Sequence, residues 1–179
     1  YEICACLVGS EMCIRDSEQA LKGFSRYASG QDRLLVLIDY TKPSTEKRFY
    51  ILDLLQKKLL LSTYVAHGRG SGDNYAVAFS NRPGSYQSSL GFFRTGDTYM
   101  GKNGYSLFLD GLEKGINDKA RERAIVVHGA NYADPAVLKG QQRLGRSLGC
   151  PALPPDISKQ VIDTIKGGVL LYIYGLNKA

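Results

Sequence analysis

The sequence of 179 residues lacks tryptophan, and it contains only two histidines and four cysteines. It also lacks any apolar run near the ~18 residues that a membrane-crossing helix needs, so we expect no integral membrane segment in this chain. No Pro-, Gly- or Ser-rich linker and no block of charge divides the sequence, which predicts one domain. With 44% hydrophobic and 22% charged residues, the composition is typical of a globular protein with a sizeable core.

The first 17 residues, YEICACLVGSEMCIRDS, differ from the rest of the chain. They hold three of the four cysteines, and neither a helical nor a strand period runs through them. The text CLVGSEMCIRDS resembles translated sequencing-adapter read-through, so we interpret residues 1–17 as a non-native segment and expect residues 18–179 to form the single domain. The alternative is a genuine N-terminus or a signal-peptide remnant, although Glu11, Arg15 and Asp16 do not suit the apolar part of a signal peptide.

Setting that segment aside changes both the charge and the cysteine count. The remaining residues carry 22 Lys and Arg against 14 Asp and Glu, so the net charge rises from +6 to +8. This excess suits a polyanionic partner, such as nucleic acid, an acidic membrane face or an anionic cell-wall polymer, and charge alone does not choose among them. Cys150 becomes the single cysteine, which excludes a disulfide framework. The native start, with any secretion signal, would then be missing.

β-Branched and aromatic runs separated by turn residues predict a mainly β domain with a few short peripheral helices, arranged as a β-sandwich or partial barrel. Strands are predicted at residues 34–40, 47–54, 58–66, 75–81, 90–96, 98–112, 124–129 and 169–175. The segment 98–112 includes an Asn-Gly hairpin turn at Lys102-Asn103-Gly104. Helices are predicted at residues 18–29 and 154–168, with one or two helical turns at 117–124.

Three residue positions stand out as candidates for chemistry. His67 and His128 each precede a glycine at the end of an apolar strand, where sites are commonly built, and Cys150 lies in a glycine-containing turn. A thiol attacks a carbonyl only as thiolate, and an imidazole is its usual base, so His128 and Cys150 suit each other in type. Backbone N–H groups of the Leu148-Gly149-Cys150 turn would face a developing oxyanion. The alternative is a cysteine packed as a small hydrophobic residue.

Other sites receive less support from the same residues. His67, His128 and Cys150 have the atoms of a zinc site but not the short ligand spacing. The glycines at positions 68, 70 and 72 lack the GxGxxG spacing and a following helix. We therefore expect no metal and no organic cofactor. The lysines and arginines form no concentrated stripe, so we expect no nucleic-acid partner.

The motif VVHGANY followed by GRSLGCPAL resembles the histidine and Ser-x-Gly-Cys motifs of the YkuD-type L,D-transpeptidases. The longer text from AHGRGSG through FSNRPGSYQSSLGFFRTGDTY to GRSLGCPA is similar to the murein L,D-transpeptidase catalytic domain family, over about residues 33–174. The resemblance implies that Cys150 is the nucleophile, that His128 is the general base, and that the Gly129 carbonyl orients the imidazole. It also implies that Ser147, Leu148 and Gly149 shape the nucleophile turn and the oxyanion site.

Two positions depart from the commonest motif of that family. Leu148 stands where many relatives have His or Arg, and Ala152 stands where many have Arg or Asn. Arg146 or Arg143 would supply a compensating positive charge for a substrate carboxylate. His67 belongs to the murein branch and either lines the cleft or holds a loop in place.

The resemblance implies a cysteine-dependent enzyme that acts on peptidoglycan stem peptides. It would form a thioester, release D-alanine, and then form a cross-link or hydrolyse the thioester as an L,D-carboxypeptidase. We expect a monomer in the periplasm or outside the cell. The alternative function is a non-catalytic cell-wall-binding module with the same fold.

Overall fold

The computed structural model describes residues 22–29 and 32–177. The predicted non-native segment 1–17 and the beginning of the predicted first helix lie outside the described residues. Within them, residues 22–27 are helical and form α1, as the helical spacing predicts. Helix α1 packs so closely on the sheet that a Cβ at Gly23 would overlap the Phe92 ring.

Eight strands form one mixed sheet in the described part of the chain. They are β1 (Leu34–Asp39), β2 (Phe49–Asp53), β3 (Lys58–Thr63), β4 (Gly91–Gly101), β5 (Gly104–Gly111), β6 (Val126–Gly129), β7 (Ala152–Leu153) and β8 (Leu170–Tyr174). The order is β3-β2-β1-β8-β4-β5-β6-β7. The last strand therefore lies in the middle, parallel to β1 and antiparallel to β4, and it is buried along most of its length, as predicted.

The two edges of this sheet meet next to Cys150. After β3, Ala66 forms an antiparallel bridge to Ala152 in β7; the Ala66 N–H donates to the Ala152 carbonyl at 2.8 Å, and the reverse bond measures 3.2 Å. The sheet is thus nearly closed, which confirms the mainly β fold class in its partial-barrel form. Closure brings the segment after β3 against the turn that contains the cysteine.

Helix α2 (Pro155–Ile165) covers the sheet beside β6. Its buried side chains are Val161, Ile162 and Ile165, and they join the main core with residues of β1, β2 and β4 to β8. Gly129 at the end of β6 permits this packing, since a Cβ there would lie 2.5 Å from the Ser158 hydroxyl. No helix in the described ranges is long and apolar enough to cross a membrane.

The hairpin between β4 and β5 has the predicted turn. Gly101 pairs with Gly104, so Lys102 and Asn103 form the tip, and Gly104 takes the left-handed φ of +74° that glycine tolerates. The register shifts between Thr95 and Thr98, which marks a bulge in the longest strand.

One predicted strand is absent from the described structure. Residues 75–81 are not a strand, because their backbone is satisfied by loops: the N–H groups of Val77 and Ala78 both donate to the Ser71 carbonyl, and that of Ser80 donates to Ser88. This segment is apolar because Ala76 is buried, but it does not pair as a strand. Residues 117–124 form successive turns. One of them, from the Arg123 N–H to the Lys119 carbonyl, spans four residues as a helical turn does, in agreement with the predicted one or two helical turns.

A fully buried arginine links β2 to the segment after β3. The Arg48 guanidinium donates two hydrogen bonds to the Val65 carbonyl, at 3.0 and 2.8 Å, and one to the Lys42 carbonyl at 2.9 Å. It also lies 4.9 Å from the centre of the Tyr40 ring. Burial lowers the pKa of Arg48 to about 10, so the side chain still carries its charge at neutral pH.

The fourth bond of this arginine goes to His67. Nη2 of Arg48 lies 2.8 Å from Nδ1 of His67, and because an arginine only donates, Nδ1 must accept and the imidazole must be neutral with its proton on Nε2. Nε2 has no hydrogen-bond partner among the described residues. Burial, followed by the Arg48 charge, lowers the pKa of His67 to about 3. The histidine therefore stays neutral across the physiological range.

We expect Arg48→Met to lower the free energy of unfolding by about 3 kcal/mol, because the Val65 carbonyl and the His67 ring lose a charged donor inside the protein. Urea denaturation measures this loss. The matched control is Arg82→Met, which removes an exposed arginine and should change stability by no more than about 0.5 kcal/mol. Equal effects of the two substitutions would contradict the assigned role of Arg48.

We expect His67 to make stability depend on pH below its ordinary pKa of 6.5. As the pH falls from 6.5 towards about 3, the unfolded chain binds a proton that the folded chain does not, so stability falls by up to about 1.4 kcal/mol per pH unit. Above pH 6.5 this contribution is absent. Unfolding free energies of the native chain and of His67→Gln, measured from pH 7 to pH 4, should diverge in slope, and parallel curves would contradict the prediction.

Candidate active site

The turn that carries Cys150 is held by the segment after β3. The Ser147 N–H donates to the His67 carbonyl at 2.9 Å, and the Arg69 N–H donates back to the Ser147 carbonyl at 2.8 Å. Together with the pairing of Ala66 and Ala152, these bonds fix the chain on both sides of the cysteine. The buried Arg48–His67 pair belongs to the same bonded segment, so it helps to hold the turn in position.

Ser147 also ties the turn to itself. Its hydroxyl donates to the Cys150 carbonyl at 2.6 Å and accepts the Gly149 N–H at 3.0 Å. Gly149 has a φ of +129°, and a Cβ there would lie 2.9 Å from the Gln87 carbonyl, so both conformation and space require glycine. The Gly149 carbonyl accepts the Ser88 hydroxyl at 3.0 Å.

The Cys150 thiol lies at the edge of the core, with 9% of the residue exposed. Sγ is 3.5 Å from the Ala124 carbonyl and donates to it. Ala124 has a left-handed φ of +51°, an uncommon conformation for a residue with a Cβ that is often found at functional sites. Burial raises the pKa of the thiol, and the Val126 N–H and the Arg123 charge act in the opposite direction. The resting form is therefore the neutral thiol.

His128 lies on β6, next to the cysteine turn. It pairs with Ala152 in the parallel β6–β7 ladder, and its N–H donates to the Pro151 carbonyl at 3.5 Å. Nδ1 of the ring lies 2.9 Å from the Gly129 carbonyl. Because a carbonyl only accepts, Nδ1 carries the proton and Nε2 is left as the acceptor. Burial lowers the pKa of His128, so the imidazole is neutral and able to take a proton.

One cleft of about 360 Å³ brings the cysteine and this histidine together. Its wall includes Cys150 and His128 and the turn residues Ser147 and Leu148. The other residues on the wall are Asn103, Arg123, Ala124, Tyr132 and Arg146. Leu148 is 59% exposed, so it forms part of the rim. The wall of the cleft therefore includes a cysteine, a histidine and two arginines.

The sequence-predicted residues divide into those at the cleft and those away from it. Arg146 lines the cleft, where it donates to the Gly72 carbonyl at 2.9 Å. Arg143 is not on the cleft wall; it pairs with Asp73 at 2.5 Å. Ala152 is fully buried, so that departure from the family motif is not on the cleft wall, whereas Leu148 is.

His67 also lies away from the cleft wall. It is fully buried. Its ring contacts Arg48 and the edge of the Tyr40 ring, and its carbonyl accepts the Ser147 N–H. A direct contact with substrate is therefore excluded by burial in this structure. Of its two sequence-based interpretations, the geometry agrees with holding a loop in place.

Four residues of the cleft wall are not among the sequence-predicted site residues: Asn103 and Ala124, together with Arg123 and Tyr132. Arg123 lies in the charged text NDKARERA, which reads as a solvated surface, and nothing in the sequence distinguishes it from Arg121. Tyr132 follows His128 by four residues within the motif VVHGANY, so the motif indicates that Tyr132 lies near the histidine. The positions of Arg123 and Tyr132 depend on how the turns before and after β6 fold back over Cys150.

The sequence matches the model of the L,D-transpeptidase catalytic domain family over residues 10–174. The match covers most of the chain, and it begins inside the segment that was interpreted as non-native. No curated protein matches the sequence significantly.

Several solved structures are similar. The helical cell shape determining protein Pgp2 of Campylobacter jejuni is 18% identical with a TM-score of 0.52, over 83% of this chain and 50% of that one. The L,D-transpeptidase of Stackebrandtia nassauensis is 14% identical with a TM-score of 0.50, over 98% and 66%. L,D-transpeptidase 1 of Mycobacterium tuberculosis is 15% identical with a TM-score of 0.46, over 80% and 62%.

This chain thus spans from half to about two thirds of the length of these solved chains. At such identities, the similarity to the Campylobacter and Stackebrandtia proteins shows a shared fold. The fold and the family match together confirm the resemblance that the histidine and cysteine motifs carry. The chain belongs to the L,D-transpeptidase catalytic domain family.

Proposed function

We propose that this chain is a cysteine-dependent L,D-transpeptidase that acts on peptidoglycan stem peptides. The observation that carries the proposal is one cleft with Cys150 and His128 on its wall, in which the Gly129 carbonyl leaves Nε2 of the imidazole as a proton acceptor. A nucleophile, a base and a group that orients the base are the parts that acyl transfer by a thiol requires.

Burial favours a neutral pair before substrate binds. It raises the pKa of the Cys150 thiol and lowers the pKa of the His128 imidazole, and both changes disfavour a standing thiolate–imidazolium pair. Proton transfer from Sγ to Nε2 would therefore accompany the attack on a carbonyl rather than precede it. The imidazolium formed in that step is stabilised by its bond from Nδ1 to the Gly129 carbonyl.

The reaction balances with these two side chains. Sγ bonds to the carbonyl carbon on the L-configured side of the diamino acid, and the carbonyl π electrons move to oxygen. When the tetrahedral intermediate collapses, the C–N bond breaks and the imidazolium proton goes to the amine of the departing D-alanine. An amine from a second stem, or water, then attacks the thioester and gives a proton to Nε2 of His128. The C–S bond breaks, and the imidazolium passes that proton to the departing thiolate. The products are a cross-link or a shortened stem.

Two backbone N–H groups are the candidates to bind the oxyanion. The Gly149 N–H is occupied by the Ser147 hydroxyl, and the Ser147 N–H by the His67 carbonyl. The N–H groups of Leu148 and Cys150 donate to no group within the described ranges. A single donor of this kind contributes roughly 2.7–4 kcal/mol to transition-state stabilisation in acyl transfer.

The charge of the cleft fits an anionic substrate. Arg146 on its wall would bind a stem-peptide carboxylate, while the exposed Leu148 would contact the apolar part of the stem. The net charge of +6 suits an anionic wall polymer. A protein with this substrate works in the periplasm or outside the cell.

One observation favours a second function. The low exposure of Cys150 and the raised pKa of its thiol also fit a cysteine that packs as a small hydrophobic residue. The chain would then be a non-catalytic cell-wall-binding module with the same fold. Covalent labelling of the cysteine separates the two functions.

We expect a carbapenem to form a covalent adduct on Cys150, because an acyl-transfer nucleophile opens the β-lactam ring and retains the acyl group. Intact-mass spectrometry followed by peptide mapping detects and locates the adduct. Cys150→Ala should lose both the adduct and D-alanine release from tetrapeptide muropeptides, while Arg121→Gln, outside the cleft, should retain both. Adduct-free protein at saturating carbapenem would favour the binding module.

We expect His128→Ala to slow D-alanine release by about 10²–10⁴-fold, the contribution of a positioned general base. The loss should be smaller at high pH, where hydroxide generates the thiolate without the imidazole. Rates measured from pH 6 to pH 10, with thermal unfolding as the control for folding, test this expectation. A His128→Ala protein with the native rate at pH 7 would remove His128 from the mechanism.

A further inference from the structure

Arg123 forms part of the cleft wall beside the nucleophile. It lies in the last of the turns before β6, and the next residue, Ala124, provides the carbonyl that Sγ of Cys150 contacts. An ideal Cβ at Gly149 would lie 3.5 Å from Nη2 of Arg123. The guanidinium therefore packs against Gly149, the residue that precedes the cysteine. The residue after Arg123 in the chain, Ala124, contacts the thiol.

The bonds of this guanidinium leave its charge uncompensated. Nη1 donates to the Ser80 carbonyl at 2.7 Å and to the Ser89 hydroxyl at 2.5 Å. Nη2 donates to the Gln87 carbonyl at 2.6 Å and to the Ser85 hydroxyl at 3.3 Å. All four acceptors are neutral oxygens, and no carboxylate of the described residues forms an ion pair with Arg123.

The other titratable groups around Cys150 do not supply a free cation. From β6, His128 is neutral because burial lowers its pKa. Tyr40, after β1, and Tyr132, after β6, remain neutral, since burial raises the pKa of each to about 12. Arg146 on the cleft wall lies 3.5 Å from the Asp73 carboxylate, which offsets part of its charge. Among the described residues that line the cleft, Arg123 is thus the cation without a carboxylate partner.

We propose that Arg123 is a positioning residue that stabilises the thiolate form of Cys150. The loop at residues 80–89 holds the guanidinium in place through neutral acceptors, so its full charge acts on the sulfur as the proton leaves for His128. The guanidinium packs against Gly149, the residue before the cysteine, and a nearby positive charge favours the ionised form of a thiol. The interaction is mutual, since the Arg123 charge lowers the pKa of Cys150 and the thiolate charge raises the pKa of Arg123.

This role extends the proposed function to a third side chain, but its test does not require transpeptidase activity. The measured quantity is the pKa of the Cys150 thiol, obtained from the rate of iodoacetamide alkylation as a function of pH on the full chain. Arg123→Gln should raise that pKa by about one unit. Arg123→Lys keeps the charge but loses several of the hydrogen bonds, and it should give a distinctly smaller rise.

The matched control is Arg121→Gln, which removes a neighbouring cation that pairs with Asp110 and should leave the thiol pKa unchanged. A folded Arg123→Gln protein with the native thiol pKa would overturn the proposal. Equal rises in the Gln and Lys variants would also overturn it, because a loss of hydrogen bonds alone would then explain the result.

A second route avoids removal of the arginine. Ser89→Asp would place a carboxylate against Nη1, keep a hydrogen bond to it and neutralise its charge, so the thiol pKa should rise as in Arg123→Gln. Ser89→Ala removes the same hydroxyl without adding charge and should leave the pKa near the native value. No rise in a folded Ser89→Asp protein would overturn the proposal, even if Arg123→Gln does not fold.

The two proposals fail in different ways. If the native chain releases no D-alanine while the thiol pKa rises in Arg123→Gln, the proposed function fails and the role of Arg123 stands. If the native chain releases D-alanine and the thiol pKa is the same in Arg123→Gln, the role of Arg123 fails and the proposed function stands.

Discussion

The Arg48 guanidinium is fully buried, so the surrounding chain must supply the hydrogen-bond acceptors that water would otherwise provide. Carbonyl groups of Val65 and Lys42 and the ring of His67 meet that demand. These bonds fix the segment after β3, and the same segment pairs with Ala152 and receives the N–H of Ser147. The hydrogen bonds to this one buried charge therefore hold the chain at one edge of the sheet, and that edge in turn positions the cysteine turn at the opposite edge.

Burial also determines the protonation states of two titratable side chains in the cleft, Cys150 and His128. Burial makes both the thiol and the imidazole favour their neutral forms, and the ring is oriented by the Gly129 carbonyl rather than by a carboxylate. A backbone carbonyl fixes the tautomer without adding a full negative charge beside the sulfur. In the proposed mechanism, no carboxylate cancels the field of the Arg123 guanidinium, so that field would stabilise negative charge that develops on the sulfur.

Local patterns in the sequence were sufficient for most strands, for α2 and for the Asn-Gly hairpin, because those elements have their own periodicity and turn residues. Residues 75–81 misled because burial of Ala76 produces strand-like text without a strand partner. Similarity to the family motifs indicated Cys150 and His128 as site residues. It gave no means of distinguishing Leu148 from Ala152, since both depart from the commonest motif. Only the three-dimensional pairing shows that Ala152 is buried while Leu148 is exposed. Arg123 was not predictable, since its place depends on contacts with residues 80–89, which are distant in sequence.

The place of β8 in the middle of the sheet has a consequence for biosynthesis. Strand β1 pairs with β8, and Leu35 lies opposite Leu170, so this pairing cannot form before the last strand is made. In the sheet, β8 is the strand that joins β1 to β4. Pairings this far apart in sequence raise the contact order and slow folding. While a ribosome still holds the last strand, the edges of β1 and β4 remain open, so the native sheet can be completed only after that strand emerges.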